Sequence, residues 1–146
     1  MSARKIAGEL SVSFRYTPGV GNTAFFEALR DRGVFLGSRC DHCGVTYVPA
    51  RVFCERCLAE LGADVECGPD GELLSWTVAR VDVDEEPLDR PVTYGLVRLD
   101  GADTAMLHRL LDVEGEPTIG MRVRSVLADR REGSIFDLNG FAPAGS

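Results

Sequence analysis

Apolar positions alternate with polar ones from the start of the chain: Leu10, Val12, Phe14 and Tyr16 are separated by Ser11, Ser13 and Arg15. Period two predicts a short strand or an extended arm, which Thr17-Pro18-Gly19 stops. The period then changes. Phe25, Phe26 and Leu29 share one helical face, with Asn22 or Thr23 as the expected N-cap and Gly33 as the residue that ends the helix. So short a helix needs tertiary burial to persist, so packing on its own domain is the first reading and docking of a partner through Phe25 and Phe26 the second. From residue 72 onward the pattern is β throughout. Strands are predicted at 73–83, 92–99, 104–111, 121–127 and 134–138, divided by turn-rich pieces such as Glu85-Glu86-Pro87, Asp100-Gly101 and Arg131-Glu132-Gly133. Two of them change phase midway. Leu74, Trp76 and Val78 give way to Val81 and Val83, and Val92, Tyr94 and Leu96 give way to Val97 and Leu99 beside Gly95. Such a flip marks a β-bulge or a strand that serves two faces. Five bent strands in so short a stretch predict a small closed or partly open barrel, with Phe141–Ser146 left as a loose tail.

Three segments result: an arm and helix at 1–33, a cysteine-bearing unit at 34–67 and the β segment at 68–146. A chain of 146 residues has room for one domain or two very small ones. Its apolar content of 45% and charged content of 27% are those of a globular protein. No apolar run is long enough to cross a bilayer and the N-terminus lacks a signal-peptide core, so a soluble, cytoplasmic protein is expected. The net charge of −7 argues against a general nucleic-acid binder. The three segments carry +2, −2 and −7, so the acidity belongs to the β segment.

Cys40-Asp41-His42-Cys43-Gly44 and Cys54-Glu55-Arg56-Cys57 are two C-x-x-C knuckles ten residues apart. Two residues between thiolates let both sulfurs reach one tetrahedral ion, and ten residues suffice for a hairpin that brings the second pair opposite the first. Cys40, Cys43, Cys54 and Cys57 are therefore the predicted ligands of a structural Zn²⁺. A catalytic zinc keeps an open position, which four cysteines do not leave. The metal also compensates for a unit too small to build a core. Disulfides fit poorly with an odd cysteine count and no signal peptide, and a redox C-x-x-C belongs beside a βαβ pattern. Four thiolates also hold iron, and spacing does not choose between the metals. Cys67, beside the Gly68-Pro69-Asp70-Gly71 turn, reads as a passive residue. His42 faces solvent within its knuckle, and His108 shares a strand face with Met106 and Leu110 as a core or edge histidine.

The order of parts carries a resemblance. A helix leads into Gly37-Ser38-Arg39-Cys40-Asp41-His42-Cys43-Gly44, then Tyr47-Val48-Pro49-Ala50-Arg51 and the second knuckle. Gly71-Glu72-Leu73-Leu74-Ser75-Trp76-Thr77-Val78 opens the β segment, and Ile119-Gly120-Met121-Arg122-Val123 its fourth strand. Over roughly residues 22–140 this resembles the bacterial and archaeal zinc-ribbon-plus-OB-fold family catalogued as domain of unknown function 35. The resemblance implies a mainly β chain: N-terminal helix, rubredoxin-like zinc ribbon, then a five-stranded OB-fold barrel. It also implies a non-catalytic accessory subunit of a thiolase-superfamily enzyme, a thiolase or a lipid-transfer-protein-type aldolase, acting on acyl-CoA thioesters in steroid side-chain or related lipid degradation. The barrel is then expected to contact the enzyme, the CoA thioester or both. Some relatives are fused to a hot-dog-fold hydratase. This chain shows no such segment and is expected to act as a separate subunit of a hetero-oligomer.

CoA phosphates would call for arginines. Arg122 and Arg124 alternate on one strand face ahead of Arg130 and Arg131, and are the candidate contacts. The competing reading is edge arginines that discourage aggregation. Nucleic-acid binding is the alternative function, since zinc ribbons and OB-folds both serve it. Against it stands the stretch Asp82–Asp89, with five carboxylates in eight residues where a nucleic-acid reader would be basic. Trp76 and Tyr94 sit among apolar positions and read as core rather than as stacking platforms. An enzyme built on Cys67 or His108 ranks last, because no nucleophile–base pair, phosphate loop or H-E-x-x-H motif is present.

Overall fold

The computed structural model describes residues 13, 14 and 16–145. Leu10 and Val12 of the alternating arm lie outside them, and Phe14 and Tyr16 are exposed and in no regular element. The first element is α1 (Gly19–Arg32), four or five residues longer at its start than an N-cap at Asn22 or Thr23 predicts. Pro18 occupies the N-cap without a side-chain hydrogen bond. Position 21 of the helix must be glycine, because a Cβ there would clash with the Ala50 carbonyl oxygen. Gly33 ends the helix at φ 68°, donating to the Leu29 carbonyl, as its sequence position predicts.

A three-stranded antiparallel sheet follows, in the order β2-β1-β3, from β1 (Phe35–Cys40), β2 (Val45–Tyr47) and β3 (Val65–Cys67). Then come β4 (Asp70–Val81), β5 (Pro87–Leu99), β6 (Met106–Arg109), β7 (Arg122–Leu127) and β8 (Leu138–Pro143), hydrogen-bonded in the order β6-β5-β4-β7-β8. The ends of this five-stranded sheet meet where Leu110 bridges Phe141 and the Leu111 amide donates to the Phe141 carbonyl (2.8 Å). That closure is the OB-type barrel. The β4–β5 register slips twice, at Leu74 and at Arg80. The second slip is the phase change read between Val78 and Val81. The first puts the irregularity on β4, opposite Leu96 and Val97, rather than on the strand that carries Gly95.

One strand is misplaced by the sequence pattern. Residues 134–138, read as β, open with a 3-10 turn (Ile135–Asp137), and the fifth barrel strand is Leu138–Pro143. Ser134 accepts the Phe136 amide while buried Asp137 accepts the amides of Glu132, Gly133 and Ser134, so capping wins over alternation. The expected loose tail is thus partly structural, and Phe141 is fully buried.

Four aromatic rings tie the parts together. Phe25 of α1 lies 6.2 Å from Phe35 of β1, and Phe35 lies 6.5 Å from Phe141 of β8, which takes His108 of β6 edge-on at 6.5 Å. Leu29, Val48, Cys67, Leu73, Val97, Leu99, Val123 and Leu138 complete that core. Helix, first ribbon strand and barrel therefore bury one apolar interior rather than three. Phe25 is wholly enclosed and Phe26 packs against the same core, so the helix does not offer its phenylalanine pair to a partner. Among the described residues no helix is long and apolar enough to cross a membrane.

Candidate metal centre and exposed apolar surface

The ribbon's own apolar cluster is small: Cys40, Val45, Tyr47 and Cys54, with Cys43, Cys57, Ala59 and Leu61 against it. Its centre is sulfur. The Sγ atoms of Cys40, Cys43, Cys54 and Cys57 all lie within 4.8 Å of one another, with Cys40 and Cys57 at 3.6 Å. The two knuckles are built alike. The residue after each second cysteine takes the left-handed conformation, Gly44 at φ 69° and Leu58 at φ 60°, and donates its amide back to the first cysteine's carbonyl. Backbone amides point at sulfur as well, Cys43 N–H at Cys40 Sγ and Arg56 N–H at Cys54 Sγ, both 3.4 Å. These bonds stabilise thiolates.

Tyr47 adds a second donor type. Its buried hydroxyl lies 3.3 Å from Cys54 Sγ, which pushes the phenol up to about 12 and brings the thiol down to about 6. Cys43 moves the other way, up to about 12, through its hydrogen bond with Cys57 and its burial. Without a cation these sulfurs cannot all ionise together. A divalent ion removes the conflict, and four convergent sulfurs with amide donors around them fit tetrahedral Zn²⁺. The fit is structural, since the sulfurs fill the coordination sphere. Cys67 stands apart. It is buried in the shared core at the junction of β1 and β3, and burial, then the nearby Asp103 carboxylate, push its thiol up. It is a packing residue.

Arg122 and Arg124 each grip a carboxylate. Arg122 forms a two-pronged pair with Asp100, and Arg124 does so with Asp70 at 2.5 and 2.8 Å. Both pairs are exposed, so each contributes little to stability. A phosphate at either guanidinium would have to displace its aspartate. Trp76 packs against the core, half-buried, and Tyr94 is half-buried on β5. The five carboxylates of 82–89 are all exposed at the tip of the β4–β5 hairpin.

The sequence reading missed the surface of the second knuckle. Val52, Phe53 and Leu58 are exposed there (56% for Phe53, 76% for Leu58), and Val20 at the start of α1 is exposed across a groove floored by Ala50 and Arg51. Only Leu58 carried a signal, in standing where the first knuckle has glycine.

A zinc ribbon sharing its core with a five-stranded OB-fold barrel defines the class. Residues 28–62 match the domain family described as "ChsH2, rubredoxin-like zinc ribbon domain" and residues 64–128 the one described as "ChsH2, C-terminal OB-fold domain". The chain belongs to this zinc-ribbon-plus-OB-fold family, known as DUF35. It is 23% identical to a DUF35 domain-containing scaffold protein of Methanocaldococcus jannaschii over 106 residues, 71% of this chain and 74% of that one. A crystal structure of a DUF35-family protein of unknown function from Sulfolobus solfataricus superposes with a TM-score of 0.58 at 29% identity, covering 70% of this chain and 74% of the other. A chain of the structure described as the Ltp2-ChsH2(DUF35) aldolase superposes with a TM-score of 0.64 at 23% identity, over 88% of this chain and 98% of that one.

Proposed function

We propose that this chain is a non-catalytic accessory subunit that docks on a thiolase-superfamily enzyme, a thiolase or a lipid-transfer-protein-type aldolase, and supports its action on acyl-CoA thioesters. The class of partner is drawn from the relatives, one named a scaffold protein and another an aldolase. The observation that carries the reading in this chain is Leu58. A branched side chain held at φ 60° costs on the order of 1–2 kcal/mol of backbone strain. It is also 76% exposed, so it recovers none of that cost by burial in this chain. Docking recovers it, with Phe53 and Val52 beside Leu58 as the apolar centre of the contact. The Cys40, Cys43, Cys54 and Cys57 zinc site holds that knuckle rigid, so little ordering entropy is lost on binding. A CoA thioester shared with the enzyme belongs to the same reading, Arg122 and Arg124 engaging its phosphates only by exchanging their pairs with Asp100 and Asp70. Steroid or related lipid breakdown is the setting the resemblance implies.

The test is co-purification. The chain should be recovered in stoichiometric complex with one such enzyme, and Phe53→Asp with Leu58→Asp should abolish the complex while leaving zinc content unchanged. A complex that survives both substitutions places docking elsewhere. Recovery of no thiolase-superfamily enzyme at micromolar concentration ends the proposal.

A further inference from the structure

We propose that the cavity of about 420 Å³ between β6 and the Ile135–Asp137 turn binds a small aromatic acid that carries a hydroxyl group. None of its lining residues belongs to the metal knuckles or to the Phe53 and Leu58 surface, so the site stands whether or not the accessory reading holds. Its volume falls within the range of small-molecule sites. Three features define the ligand.

The first is an unsatisfied atom. His108 Nδ1 is enclosed and is the buried side-chain polar atom among the described residues that has no hydrogen-bond partner. Buried polar groups are almost always paired, so an orphan on a residue that lines a cavity asks for a ligand group. A hydroxyl answers whichever tautomer the ring adopts, donating to a bare nitrogen or accepting from N–H. Burial lowers the ring's proton affinity, and the Ile135 backbone beside it opposes that shift in part.

The second is an unpaired cation. Eight arginines among the described residues pair with carboxylates; Arg109 is one of five that do not, and it is the one that lines this cavity. In a chain of net charge −7 an unpaired rim guanidinium favours an incoming carboxylate. The third is the wall. Tyr94, Leu107, Ile135 and Phe136 line the cavity, with Leu107 and Phe136 63% and 81% exposed at its mouth. Rings and aliphatic chains along the wall suit an apolar aromatic body. The wall is also preformed, because the three amides held by Asp137 fix the turn that presents Phe136.

The experiment titrates the full, metal-loaded chain with 4-hydroxyphenylacetate, phenylacetate and p-cresol. Binding is read from amide shifts and from the imidazole nitrogens of His108. The hydroxy acid should bind saturably and move the His108, Leu107 and Phe136 resonances. Phenylacetate, which lacks the hydroxyl, and p-cresol, which lacks the carboxylate, should each bind about tenfold more weakly. His108→Phe should erase the preference for the hydroxylated acid, and the surface change Arg109→Gln the preference for the carboxylate. Shifts confined to other parts of the chain, equal affinity for the three probes, or no saturable binding at millimolar concentration overturns the proposal. Unchanged discrimination in Arg109→Gln overturns it even if His108→Phe fails to fold.

Discussion

Thr104 holds Val48 by both of its backbone polar groups: the Val48 amide donates to Thr104 Oγ1 at 2.8 Å, and the same hydroxyl donates to the Val48 carbonyl at 2.9 Å. One residue earlier the pattern repeats. Asp103 Oδ2 accepts the Thr46 amide (2.8 Å), and the Asp103 amide donates to the Thr46 carbonyl (2.9 Å). The loop between β5 and β6 thereby acts as a strand laid along the free edge of β2. It closes an edge that would otherwise invite pairing, and it fastens the ribbon to the barrel.

Replacing Thr104 with valine keeps shape but strands two backbone groups of a buried residue. The expected cost is about 2 kcal/mol, read as a lower urea midpoint with an unchanged slope. Thr104→Ser should restore most of it, and a valine variant as stable as the parent would show that water satisfies the Val48 groups equally well.

Removing the metal should unfold the ribbon first. Chelation, or Cys54→Ala, should lower zinc content from one ion per chain to none and broaden the amide resonances of 40–60, because the sulfurs are the centre of that cluster. Acid should do the same, since protons compete for thiolates. Retention of stoichiometric zinc by Cys54→Ala would reject the four-cysteine site.

Asp137 should govern the acid limb of stability. Burial alone would raise its carboxyl, but the amides of Glu132, Gly133 and Ser134 hold it below the ordinary aspartate range. A native value lower than the unfolded one gives stability that is full at neutral pH and is lost as pH falls through the native value. Asp137→Asn should cost about 1–3 kcal/mol at pH 7, with the gap to the parent narrowing in acid. A gap constant from pH 7 to pH 2 would remove the carboxylate from the account.

Leu58→Gly should separate stability from docking. The change relieves a left-handed leucine and should raise stability by about 1 kcal/mol, while weakening any complex at least tenfold. A less stable glycine variant would mean that Leu58 is held by contacts within the chain.

The parts legible in the sequence are those whose chemistry is local. The double knuckle, the Gly33 helix end and the slip between Val78 and Val81 are fixed by neighbours a few residues apart. Long-range partners decided the rest. The first turn of α1, before the expected cap at Asn22 or Thr23, packs its Gly21 against Ala50, a neighbour 29 positions away. Ile135, Phe136 and Leu138 read as a strand because a capping box and an alternating pattern overlap there. The pairings of Arg122 and Arg124 with Asp100 and Asp70 join residues 22 and 54 positions apart. Nothing in the run of residues around Asp103-Thr104 announces a clasp on Thr46 and Val48.

β3 has a consequence for how such chains can be taken apart. Val65–Cys67 falls within the segment that matches the OB-fold family, yet it pairs with Phe35–Gly37 of the ribbon. A graft or fusion joined near residue 63 would cut through a hydrogen-bonded sheet, leaving each piece with a raw seam. The two modules are dovetailed rather than strung together, and exchange between relatives should succeed only when the seam travels with the ribbon.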